Sequence, residues 1–134
     1  MLRDKKQLLA NFNCNPPAPV TALQQLENSC GFKLPDDYVE FLQEANGGEG
    51  FIGSDGYIIL WPIEDLFHLN KAYEVAEYAP GLFLFGSDGG GEAFAFDTRS
   101  NRSVVSVPFV GMDRSLARHL GSNFQEFLES IHKS

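Results

Sequence analysis

From Ala18 to Gly31 the apolar positions Ala22, Leu23, Leu26 and Cys30 recur at helical spacing, with prolines ahead of them and a glycine where a left-handed cap ends a helix. Pro35 suits a first helical position and opens a second amphipathic run. There Tyr38, Phe41, Leu42 and Ala45 form one stripe, and Asn46 with Gly47 ends it. The period then changes. YIILW, LFLF, EAFAFD and SVVSVPF are short, rich in β-branched and aromatic residues, and bounded by Gly, Pro, Ser or Asp, which predicts four strands. Between the first two, residues 63–80 are long enough for a helix, which Pro80 and Gly81 stop. A last helix is predicted over Ser122 to His132, opened by a capping box of Ser122 with Gln125 and burying Phe124, Phe127, Leu128 and Ile131. Helices at both ends with strands between predict an α+β fold, a mostly antiparallel multistranded sheet with flanking helices. No internal repeat, low-complexity tract or linker divides the chain, so residues 1–134 read as one domain.

Composition narrows the class. A chain of 134 residues, 43% hydrophobic and with twelve phenylalanines, buries enough surface to fold without a metal or disulfide staple. No apolar run approaches the roughly 18 residues of a membrane span, and MLRDKKQLLANFN alternates charge with leucine instead of forming a signal-peptide core, so a cytoplasmic location is expected. Cys14 and Cys30 share no metal or redox spacing and read as free thiols. Charge is unevenly placed. Asp36 to Asp97 holds thirteen acids and one base, Lys71, a segment of −12 between flanks of +2 each, which gives the net −8. Such a field repels phosphate backbones and anionic lipid, so neither nucleic acid nor membrane is an expected partner. A basic protein surface is its complement; solubility is the plainer reading of net charge alone.

The stretch GSDGGGEAFAFD, Gly86 to Asp97, is the most suggestive of a site. A phosphate loop needs Lys followed by Ser or Thr and then a helix, but here Glu92 follows and AFAFD alternates as a strand does. Asp88, Glu92 and Asp97 lack the regular series of a calcium loop. The spacing fits a hairpin whose glycines accept positive φ, with Phe94 and Phe96 on one sheet face, Ala93 and Ala95 on the other, and Asp88 and Glu92 at the rim. The pairs Asp36–Asp37 and Glu64–Asp65 sit in first helical turns and answer the helix dipole. His68, His119 and His132 are isolated, and no Gly-x-Ser-x-Gly elbow supplies a nucleophile, so no catalytic residue, metal site or cofactor is expected. Trp61, the single tryptophan, closes YIILW and reads either as core or as an anchor for a partner. In GGEGFIGSDGY, Phe51 and Ile52 lie in a glycine-rich loop with Glu49 and Asp55, a lid or a contact surface. Glu49, Phe51, Asp55, Trp61, Asp88 and Glu92 are therefore the expected partner-binding residues.

The strings LENSCGFKLPDDYVEFLQEANGGEGFIG and LFLFGSDGGGEAFAFD, with Leu60-Trp61 between them, carry a resemblance running from about Val20 to Ile131. Its most specific parts are Gly31, Leu34-Pro35, Tyr38, Phe41-Leu42, Asn46-Gly47 and the Phe85-Gly86 turn. The chain resembles the SUKH superfamily, which includes fungal Smi/Knr-type cell-wall assembly regulators and many bacterial toxin-immunity proteins. The resemblance implies a SUKH-like α+β fold, no enzyme activity and protein binding, in bacteria commonly of a cognate toxin and often of a nuclease. The expected function is an immunity protein, a monomer with a dimer as the alternative. Two other readings stand beside it: a housekeeping regulatory scaffold like the fungal relatives, and a small-ligand binder or enzyme using Asp88, Glu92 and Trp61 in a cleft.

Overall fold

The computed structural model describes residues 5–53 and 56–133. Seven strands form a single sheet, each antiparallel to the next in chain order: β1 (Phe12–Cys14), β2 (Gly48–Ile52), β3 (Gly56–Leu60), β4 (Leu82–Ser87), β5 (Glu92–Asp97), β6 (Ser103–Pro108) and β7 (Arg118–Gly121). Around it lie α1 (Lys5–Leu8), α2 (Val20–Ser29), α3 (Asp36–Glu44), α4 (Ile63–Ala72), α5 (Val75–Tyr78) and α6 (Phe124–His132). This is the α+β architecture that the periodicities predict. The four predicted strands are β3 to β6. The span 63–80 holds two helices, because Glu74 takes a left-handed conformation (φ 54°) between α4 and α5. Three strands escaped the pattern. GEGFI was read as a loop, yet it is a strand whose glycines answer a steric demand: a Cβ on Gly48 (φ 146°) would lie 2.3 Å from the Asn13 carbonyl oxygen of β1.

Alternation within the strands sorts side chains to two unequal cores. Phe83, Phe85, Phe94, Phe96, Ile52, Ile58 and Leu60 meet Leu26, Tyr38, Phe41, Phe124, Phe127 and Leu128 from the helices. On the reverse face Leu84, Ala93, Ala95, Val105 and Val107 meet Val75, Ala79 and Met112. The division of Phe94 and Phe96 from Ala93 and Ala95 is the one that the alternation predicted.

Polar side chains join the elements at their ends. The predicted capping box is displaced by one residue: Asn123 accepts from the Glu126 N–H at 2.8 Å, and Glu126 Oε1 accepts from the Ser122 N–H at 3.0 Å. Asp37 not only begins α3 but also accepts from the Gln125 N–H of α6 at 2.9 Å. Pro62 cannot cap α4 with a side chain, so Asn46 does so from a distance in sequence, accepting from the Ile63 N–H at 2.8 Å and donating to Glu64 at 2.7 Å. Where β3 and β4 part after two paired residues, Asn70 of α4 stands in for a strand, accepting from the Leu84 N–H and donating to the Leu84 carbonyl at 2.8 and 2.9 Å. Across the far end of β5, Arg114 forks onto both oxygens of Asp97 at 2.7 and 2.9 Å.

Asn70→Leu removes both partners of the Leu84 backbone and is expected to lower stability by about 2–4 kcal/mol, read as a lower denaturant midpoint at unchanged slope. An unchanged midpoint would show that water replaces the amide. Tyr38 presents the opposite case. Its hydroxyl is buried among Phe85, Phe96 and Phe124 with no hydrogen-bond partner among the described residues, and burial drives its pKa up. Tyr38→Phe is expected to stabilise the fold by about 1 kcal/mol in the same measurement, and a loss of stability would mean that the hydroxyl is satisfied.

Candidate functional site

Among the described residues, the helices and Met112 cover the reverse face of the sheet over β4 to β6 and leave that face open on β2 and β3. Ile52, Ile58 and Leu60 point to the main core; Glu49, Phe51, Tyr57 and Ile59 therefore point away from it, and Trp61 continues the same alternation. Register brings them together. Phe51 lies opposite Tyr57 and Glu49 opposite Ile59. The Phe51 and Tyr57 rings meet edge to face at 5.1 Å, and Phe51 keeps 47% of its surface exposed. The Tyr57 hydroxyl donates to Glu49 Oε2, a bond that holds the carboxylate against the sheet and keeps the phenol protonated to higher pH than a free tyrosine.

Trp61 marks the boundary between covered and open halves. Half-buried, it packs against both cores and lies nearly parallel to Tyr73, with ring centroids 6.4 Å apart. Tyr73 in turn meets Phe109 at 4.7 Å. Trp61 thus takes part in core packing, one of the two readings that the sequence left open, while part of its surface stays accessible.

The β4–β5 turn reaches this face as well. A Cβ on Gly89 would come within 3.4 Å of the Tyr57 ring and 3.6 Å of Ile59, so the glycine tip rests beside them. Of the three consecutive glycines only Gly89 has positive φ, 81°. Asp88 is bound into the turn. Its Oδ1 accepts from the Gly90 and Glu92 N–H groups at 2.8 and 3.2 Å, and its own N–H donates to the Glu92 carbonyl at 3.1 Å, so it closes the turn. Glu92, half-buried, begins β5 opposite Pro108. Of the six residues expected from sequence, Glu49, Phe51 and Trp61 belong to the open face, Glu92 and Asp88 to its turn, and Asp55 lies outside the described residues.

Sequence reasoning passed over Tyr57, Ile59, Tyr73 and Asp65. The signal for two of them was present: in YIILW the same alternation that buries Ile58 and Leu60 puts Tyr57, Ile59 and Trp61 on one side. A cleft of about 470 Å³ at the edge of this face is lined by Glu49, Tyr57, Trp61 and Asp65 among others, but by neither Asp88 nor Glu92. Among the described residues no three His, Cys, Asp or Glu side chains gather as a metal site would need, and no helix is long and apolar enough to cross a membrane.

Comparison with known proteins gives the family. The chain belongs to the SMI1 / KNR4 family (SUKH-1), whose model matches residues 17–130. It is also similar to an uncharacterized protein, YnaB, of Bacillus subtilis (strain 168), with 32% identity over 124 residues that cover 91% of this chain and 81% of that one.

The turn geometry separates the glycines. Gly89→Val is expected to destabilise the fold by about 1–3 kcal/mol, whereas Gly91→Ala, with open space around its Cβ and no positive φ, is expected to change it by less than about 0.5 kcal/mol. Thermal melts of the two variants check this; equal effects would show that strain at Gly89 does not govern the turn.

Proposed function

We propose that this chain is a non-enzymatic protein-binding domain of the immunity type, which neutralises a basic toxin domain by covering it with the open half of its sheet. The observation that carries the reading is the pairing on that face of accessible aromatic surface, Phe51 and Tyr57 with Trp61 further along the strand, with the Glu49 carboxylate held by Tyr57. Aromatic anchors ringed by charge make good contact centres, because the rings supply desolvated area and the rim supplies orientation. Membership of a family that includes toxin-immunity proteins supports the same reading. A nuclease must present Lys and Arg to hold phosphate, so an acidic face competes for the very groups on which the toxin depends. The −12 segment from Asp36 to Asp97 adds long-range attraction for such a surface.

The same surface would serve a regulatory scaffold, and gene context separates the two. Against an enzyme stands the chemistry of the acids: Asp88 is engaged by the turn, and the cleft beside Trp61 contains neither it nor Glu92.

The polypeptide encoded next to this chain, expressed alone, is expected to arrest growth, and co-expression of this chain is expected to restore it. With the purified pair, association is expected to slow at least about tenfold on Glu49→Lys with Glu92→Lys, and to slow with rising salt while dissociation changes less. A harmless neighbour, or a folded double variant that associates at the wild-type rate in low salt, would remove the reading.

A further inference from the structure

The cleft at the edge of the open face has an unusual lining. Asn13, Asn15, Glu49, Tyr57, Trp61 and Asp65 help to line it, two carboxylates and two amides beside two aromatic rings, and among the described residues no Lys, Arg or His lines it. Two of its acceptors, Glu49 and Asn15, are held in place and only partly used by described residues. Tyr57 occupies one oxygen of Glu49 and leaves the other. Asn15 spends its amide N–H on the Asn46 carbonyl at 3.0 Å, which fixes the side chain while its own carbonyl oxygen accepts from no described residue. Asp65, exposed in the first turn of α4, supplies a second charge from a different element. Trp61 contributes a flat wall held by its packing on both cores and on Tyr73.

A cleft that is negative, rich in acceptors and walled by an indole is complementary to a flat cation with many donors. We infer that it receives an arginine side chain of the protein partner, the guanidinium lying against Trp61 and donating to Glu49 and Asp65. This rests on the reading of the open face as a protein-binding surface and names the group that the face selects. Arginine fits better than lysine because the guanidinium offers five N–H donors in one plane, stacks on an aromatic face and is weakly hydrated; an ammonium is a compact, strongly hydrated charge that satisfies one direction at a time. An anionic or purely apolar group would meet unpaired acceptors instead.

Trp61 is the only tryptophan in the chain, so its fluorescence reports on this cleft directly. The probe is the blocked tripeptide acetyl-Gly-Arg-Gly-amide, compared at equal ionic strength with its lysine and citrulline counterparts. Citrulline keeps the shape of arginine and removes the charge. The arginine peptide is expected to shift the emission saturably with a dissociation constant on the order of 1–10 mM, the lysine peptide to bind at least about threefold more weakly and the citrulline peptide not at all. Glu49→Gln, which preserves the contact with Tyr57, and Asp65→Asn are each expected to weaken arginine binding about three- to tenfold with no change in unfolding midpoint. No saturable response up to about 50 mM, equal binding of the citrulline peptide, or wild-type affinity in both variants would overturn the inference. Because the peptide is not the toxin, the two readings fail separately. Growth rescue without arginine binding overturns the cleft, and arginine binding without growth rescue retains the cleft and removes the toxin.

Discussion

Phe85 lies almost flat on Phe96, with ring centroids 4.3 Å apart and planes 16° apart, and the helical side of the molecule is arranged around that stack. Tyr38 of α3 closes on both rings at 5.5 and 5.0 Å, Phe127 of α6 meets Phe85 edge-on at 5.5 Å, and Phe124 bridges Tyr38 and Phe41 at 5.4 and 5.2 Å. Each such contact adds about 0.5–1.5 kcal/mol beyond the area it buries, and here the contacts share members, so strand order, helix placement and ring geometry constrain one another. The orphaned Tyr38 hydroxyl follows from the same arrangement: the ring is placed for its neighbours, and among the described residues the hydroxyl finds no hydrogen-bond partner.

The reverse face is the product of that choice. Behind Phe94 and Phe96 the strand can present only what alternation leaves, Ala93 and Ala95, and over such small side chains a single turn of helix and Met112 are enough cover. The cover does not extend past Trp61. One half of that face is therefore sealed by short elements and the other half is left with Phe51 and Tyr57 toward water. Large apolar groups left exposed side by side cost solubility, and the surrounding carboxylates offset that cost while setting the sign of what is attracted.

How much of this was legible depended on whether a signal was local. EAFAFD declared its faces by alternation, and the helices over α2, α3 and α6 declared theirs by spacing. β1 and β7 are three and four residues long, too short to carry a period, and β2 was hidden by glycines required by a neighbouring backbone that no local pattern reveals. The pairing of Asn70 with Leu84 and of Asn46 with Ile63 joins residues 14 and 17 apart, which only the folded chain brings together. At the site, composition singled out Trp61, Phe51 and Glu49, and strand register supplied Tyr57. The bonds of Asp88 were not legible: an Asp before glycines makes a good turn former and a good rim acid, and sequence does not say which hydrogen bonds it makes.

The chain-order sheet has a consequence for synthesis. Every strand pairs with its predecessor, so ladders can zip as a nascent chain leaves the ribosome, with little loop entropy to overcome. The helix that carries Phe124 and Phe127 follows all seven strands, however, and the rings of β4 and β5 have no partner from it until it arrives. Translation thus passes through a stage in which a nearly complete sheet shows Phe85 and Phe94 to solvent or to a chaperone. Release of α6 from the exit tunnel, rather than formation of the sheet, then sets the moment at which the main core closes.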